Sequence, residues 1–272
     1  MENEKPYGVL SNTEWSALAA LIEAIRPRGK TEPHDLRRTI EAIIWRHSNG
    51  AKWRAIPAEL GPWWMAAQCF NRWLHLGVWE RLLALAQERG GGAALGMAFL
   101  DGSTVRGRQH RPRPSVRGRC GQKGGSSAER DGREALGRSR GGYGTKAVAL
   151  ADGRGRAIAF ALAPGQAHEA PLAPALLDAL PDSPLWVVGD RGLSSPALRE
   201  QVWAIGAQPA IPAKRNEAPV RCLDFIYHNR NLIERLWGRL KEWRAVATRY
   251  EKLARSFMAV LCLAAAMDWL KP

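Results

Sequence analysis

Tyr227, Arg230, Glu234 and Lys241 are spaced Tyr-x2-Arg-x3-Glu-x6-Lys within YHNRNLIERLWGRLK. On a helix turning about 100° per residue, the four share a band roughly 60° wide, with Leu236, Leu240 and Trp243 on the opposite side. A carboxylate flanked by cations on one face suits a metal-bound acid beside a phosphate backbone. The same pattern also describes a solvated helix face with an i,i+4 ion pair between Arg230 and Glu234. Two further acids, Asp101 and Asp190, each close a short apolar run, residues 97–100 and 185–189. If those runs are parallel neighbouring strands, both carboxylates emerge at one sheet edge, where open α/β folds place their sites. Three carboxylates from two strands and a helix suit two Mg²⁺ ions, hard cations that take oxygen ligands, with Mn²⁺ as a substitute. Such a pair, about 3.5–4 Å apart, activates an attacking oxygen and stabilises a leaving one in phosphodiester chemistry. A lone Asp at a strand end more commonly forms a turn or caps a helix. Asp152 in DGRG and Asp182 in PDSP are read that way and set aside.

The elements that must position these residues fall into two regions. Residues 1–92 read as a helical domain. Asn12-Thr13-Glu14 caps a first helix carrying Trp15, Leu18, Leu21 and Ile22. Asp35 opens a second, which Gly50 stops. A short helix over 53–60, the Gly61-Pro62 turn and a helix over 63–74 outline a helix-turn-helix, followed by a helix over 78–87. In its second member Ala67, Phe70, Trp73 and Leu74 face inward. Gln68, Asn71 and Arg72 point outward, where they can touch base edges or phosphates. A plain helical bundle fits the same pattern.

Residues 93–272 read as a mixed α/β domain: a strand over 97–100, a hairpin over 145–150 and 157–162, and a helix over 170–180. A strand over 185–189, a helix over 194–205, a strand over 209–211, the helix bearing Glu234 and a last helix over 254–270 complete it. Between the first strand and the hairpin, residues 102–142 hold eleven Lys and Arg against three acids, a net of +8, with ten Gly. This segment, which includes Arg106, Arg108, Arg138 and Arg140, is expected to be a flexible basic loop that orders on a phosphate backbone. A solvated insert without function is the alternative.

Composition narrows the partner. Forty Lys and Arg against 26 Asp and Glu give +14, with a pI near 10.3, a balance that favours double-stranded DNA or another nucleic acid. No run of about 18 apolar residues and no signal peptide is found, which argues against a membrane. Four scattered Cys without a CxxC pair argue against a zinc site and for a reduced, cytoplasmic setting.

The stretches LDGSTVRGRQH, GRSRGGYGTKAVALAD, VVGDRGLSSPALRE, IPAKRN and YHNRNLIERLWGRLKEWRAVATRYEK together resemble an insertion-sequence transposase of the IS5 family, within the IS4-like DDE group. The resemblance covers nearly the whole chain, including NGAKWRAIPAELGPWW. It implies an RNase H-like fold, a metal site formed by Asp101, Asp190 and Glu234, and transposon-end DNA held by Tyr227, Arg230 and Lys241. It also implies work on bacterial or archaeal chromosomal DNA, and a dimer or higher assembly that holds two terminal inverted repeats together. Lys146 and His168 lie in family-like segments, either as catalytic groups or as a strand-edge charge and a helix-start residue. Two positions depart from the family pattern: Gly102 where Ser is commoner, and Arg191-Gly192-Leu193 where Lys-Gly-Tyr is expected. A DNA-binding regulator that has lost catalysis, and a nuclease without strand transfer, are the competing functions.

Overall fold

The computed structural model describes residues 4–5, 7–28, 35–107, 133–220 and 222–271. Its first part is helical. Helix α1 (Asn12–Ile25) starts in a capping box in which Ser11 Oγ accepts the Glu14 N–H and the Glu14 carboxylate accepts the Ser11 N–H. The cap is thus Ser11, one residue before the expected position. Helix α2 (Leu36–Asn49) is capped by Asp35, and Gly50 ends it in the left-handed region at φ 59°.

The helix expected over 53–60 does not form. Two 3-10 turns, Trp53–Ala55 and Ala58–Leu60, take its place. Pro57 lacks an N–H and forces Ile56 into an extended conformation, which breaks the rod. Helix α3 (Trp63–His75) follows, with Ala66, Phe70, Trp73 and Leu74 buried. The inward stripe therefore runs through Ala66, and Ala67 is only half-buried. Helix α4 (Val78–Arg89) completes the group.

Among the described residues a seven-stranded sheet comes next. Strand β1 (Met97–Gly107) pairs antiparallel with β3 (Gly142–Ala151), which in turn pairs with β4 (Ala157–Pro164) and the short β2 (Gly137–Ser139). On its other flank β1 pairs in parallel with β5 (Trp186–Gly189), and β5 with β6 (Gln208–Ala210). Three antiparallel strands followed by two parallel ones, with helices on both faces, make an RNase H-like mixed sheet. Residues 102–107, expected in the basic loop, extend β1 because β3 stays in register with it from Phe99 to Arg106. Residues 137–142 likewise belong to β2 and the turn into β3. The expected loop thus neither begins at 102 nor runs to 142, and the rest of that expectation, residues 108–132 with Arg108, lies outside the described residues.

Alternate residues of β1 feed two cores. Ala98 and Leu100 join Val148, Val187 and the side chains of α5 (Ala173–Leu177) and α6 (Pro196–Ala204). Phe99 and Val105 face the other way, toward α8 (Asn231–Lys241) and α10 (Ala254–Trp269). The N-terminal helices belong to that second core: Leu18, Ile43, Phe70 and Trp79 cluster with Leu236, Val260 and Leu261. The boundary expected near residue 92 therefore does not separate two cores. Among the described residues no helix is long and apolar enough to cross a membrane.

Candidate active site

The site lies where two parallel strands separate. Strands β1 and β5 stay in register up to Leu100 opposite Gly189, so the next residues, Asp101 and Asp190, sit side by side as the strands part. Strand β5 stops there because Asp190 becomes a cap: its Oδ1 accepts the Leu193 N–H at 3.1 Å and opens the 3-10 turn Arg191–Leu193. Leu193 is fully buried in the sheet's α5/α6 core, so the place where an aromatic was expected is filled by a packed aliphatic. Strand β1 runs on, and its next parallel partner, β7 (Thr248–Arg249), meets it only at Arg106 and Gly107. Among the described residues, 101–105 thus lack a strand on that flank. Asp101 stands at the mouth of this fork, within a continuous strand rather than at its end.

The third acid arrives from a helix across the same face. Helix α8 buries Ile233, Leu236, Trp237 and Leu240 and packs on β1. Trp243, expected in that stripe, lies between α8 and the short α9 (Arg244–Ala247) and is half-buried. The rod upstream is not one uniform α-helix: α7 (Asp224–Tyr227) passes through a 3-10 turn, His228–Arg230, before α8 begins. Tyr227 packs against the core, while Glu234 and Lys241 are exposed.

Arg230 ties the sheet to the helix. Its Nη2 donates to Asp101 Oδ1 at 2.8 Å, and its Nη1 lies 3.1 Å from Glu234 Oε1. A solvated face would show only the second of these pairings; the crossing to Asp101 brings two of the three acids onto one guanidinium. Asp101 titrates above its ordinary value. Burial is the main cause, the Arg230 hydrogen bond and charge offset part of it, and the charges of Asp190 and Glu169 add to the rise. Burial opposes the Arg230 charge too, yet the hydrogen bond to Asp101 and the charges of Asp101 and Glu234 lift its pKa overall. Its Nε is buried without a partner.

The donor set suits a hard divalent cation, being all carboxylate oxygen, and the repulsion among these acids is what a cation would relieve. Among the described residues no three such ligands stand close enough to form a complete cage, since Arg230 occupies the space between Asp101 and Glu234.

The remaining predicted residues spread around the fork. Lys146 of β3 sits opposite Thr104 of β1 and pairs with Glu169 at 2.9 Å. His168 is exposed. Arg106 is exposed and, with Thr104, Ser139 and Tyr143, lines a polar cleft of about 310 Å³; Arg138 and Arg140 are exposed beside it on the β2–β3 hairpin. Gln68, Asn71 and Arg72 are exposed on α3, with Asn71 Nδ2 donating to the Ala67 carbonyl of its own helix. Asp152 is buried and accepts three backbone N–H groups, from Ala94, Arg154 and Arg156, which makes it a turn former. Glu169 was missed by sequence reading. It belongs to no periodic element, and its closeness to Asp101 depends on how the chain leaves β4.

This sheet, with acids at its fork and on the helix across it, defines an RNase H-like domain of the DDE type. Residues 10–83 match the family described as "Putative transposase of IS4/5 family", and residues 96–221 and 187–271 match two described as "Transposase DDE domain". The "Putative transposase for insertion sequence element IS6501" of Brucella ovis is 30% identical over 129 residues, 47% of this chain and 98% of that protein. "Uncharacterized protein y4sN" of Sinorhizobium fredii is 29% identical over 103 residues, 37% of this chain and 78% of that one. Among solved structures, the piggyBac transposase in a synaptic complex with hairpin DNA aligns with a TM-score of 0.37 and 10% identity. That match covers 81% of this chain, which spans 50% of the piggyBac chain. The chain belongs to the IS4/5 group of DDE transposases.

Proposed function

We propose that this protein, within the IS5 branch of its group, binds the terminal inverted repeats of its own insertion sequence, cuts at their ends and joins them to target DNA. The observation that carries the reading is the single guanidinium of Arg230 that links Asp101 at the strand fork to Glu234 on α8. Asp101, Asp190 and Glu234 would hold two Mg²⁺ ions, or Mn²⁺ in their place. Bound there, the ions supply activation of the attacking oxygen and stabilisation of the leaving one. Asp190 is already fixed by its turn, so one acid is preset. Glu234 is exposed and free to turn inward once Arg230 exchanges its carboxylates for a DNA phosphate, a partner its fork geometry matches.

Around this centre, Tyr227, Arg230 and Lys241 grip the transposon end, and Lys146, Arg106, Arg108, Arg138 and Arg140 meet the backbone. Gln68, Asn71 and Arg72 of α3 read the repeat. Water and a 3′-OH make the same demand of the site, an activated oxygen in line with the leaving group, so one centre serves both hydrolysis and joining. Two ends cut in concert call for a homodimer or larger assembly on DNA.

The test uses a pre-nicked terminal-repeat duplex, taken from DNA flanking the gene, incubated with plasmid and Mg²⁺. Joined product is expected. Cutting without joining would instead make the protein a nuclease, and binding alone a regulator.

A further inference from the structure

Gly102 follows Asp101 on β1, and the space its missing side chain leaves is taken. A Cβ built there would lie 2.3 Å from the Glu169 carboxyl carbon and 2.4 and 2.6 Å from its two oxygens, far closer than atoms can approach. Glu169 comes from the segment after β4, and its Oε1 meets Lys146 Nζ at 2.9 Å, with the two side chains 18% and 19% exposed. Lys146 reaches this point from β3, opposite Thr104. A carboxylate seated on the backbone next to Asp101 therefore fixes an ammonium from the neighbouring strand.

We infer that Glu169 is a positioning residue of the reaction centre, seated in the gap at Gly102 so as to hold the Lys146 ammonium ready for a phosphate of the strand being cut. The inference rests on the reading that the Asp101 fork is where DNA is cut. Lysine's four-carbon stem gives its charge wide freedom, and a nearly buried partner removes most of it before DNA arrives. Without Glu169, the ammonium regains the freedom of its stem and is no longer held in one place for the phosphate. A Cβ at 102 would take that seat, so glycine here is what lets the carboxylate rest against the strand.

Two substitutions displace the charge by different routes. Gly102→Ala keeps every charged group and pushes the flexible end of Glu169 aside, while Glu169→Gln keeps the shape and removes the charge. Each is expected to slow cleavage at saturating terminal-repeat duplex by roughly 100-fold, with equilibrium affinity for the duplex unchanged within about twofold. Because both act on one pair, Gly102→Ala/Glu169→Gln should be no slower than the slower single variant, and Lys146→Met, which also removes a backbone contact, should cleave at least as slowly. Thermal melting reports folding; if one variant does not fold, the other carries the comparison.

Wild-type cleavage in either folded variant, multiplying defects in the double, or a loss explained by weaker DNA binding would overturn the proposal. Asp101→Asn is run in parallel. If it is inactive while Gly102→Ala and Glu169→Gln cleave normally, the role of Glu169 fails and the reaction centre stands. If Asp101→Asn itself cleaves, the reading of the centre fails.

Discussion

Charge is handled in opposite ways at the two buried ends of this molecule. At the fork, Asp101 is kept beside Asp190 and Glu169 with Arg230 as its direct counter-charge. In the helical region His47 is fully buried against Trp53 and Phe70, and burial, reinforced by Arg46, holds its pKa well below the usual value. Its folded pKa is depressed, so the neutral ring contributes stability that is complete above the unfolded pKa of about 6.5 and is lost as pH falls below it. Chemical denaturation between pH 7.5 and 5 should show stability dropping by at most about 1.4 kcal/mol per pH unit from this one proton. His47→Phe should flatten that segment of the curve. The chemistry of single residues was only partly open to sequence reading. Asp101, Asp190 and Glu234 stood out by spacing and by the ends of apolar runs, although β1 runs on past Asp101, whereas Glu169 gave no such signal because its place depends on the gap at Gly102.

Strand β7 is only two residues long, yet it ties several elements together. Its Arg249 is buried and donates to the carbonyls of Glu134, Ala135, Glu251 and Lys252 and to the Thr145 hydroxyl. One side chain thus fixes the segment entering β2, where Ala135 takes a positive φ of 44°, to β3 and to the start of α10. Burial pulls the Arg249 pKa down to about 10, so the group stays charged at neutral pH. Arg249→Met would orphan several buried carbonyls and is expected to cost about 3 kcal/mol or more in urea unfolding. The hairpin β3–β4 and helices α1 to α4 were legible from turn residues and apolar spacing. The length of β1 was not, because residues 102–107 are Gly-rich and polar and are strand only through pairing with β3 and β7. The stretch 53–60 carried its own signal in Pro57, which outweighed the apolar pattern around it.

At the scale of the whole molecule, the shared core makes the N-terminal helices and the fork one body, since α10 packs against both α4 and the sheet. A net charge of +14 surrounds that body. DNA affinity should therefore fall steeply with salt. Replacing the seven Lys and Arg between residues 108 and 132 with Ser should reduce the slope of log K against log salt by about 0.9 for each phosphate no longer neutralised. Fluorescence anisotropy across a salt series measures it, and an unchanged slope would remove that segment from the interface.

That three acids form one reaction centre is tested most directly by end cleavage with acid-to-amide variants. With terminal-repeat duplex and Mg²⁺, Asp101→Asn, Asp190→Asn and Glu234→Gln should each cut roughly 10³-fold more slowly than the unaltered protein, while binding the duplex with affinity within a few-fold. Wild-type cleavage by any one of the three would contradict it.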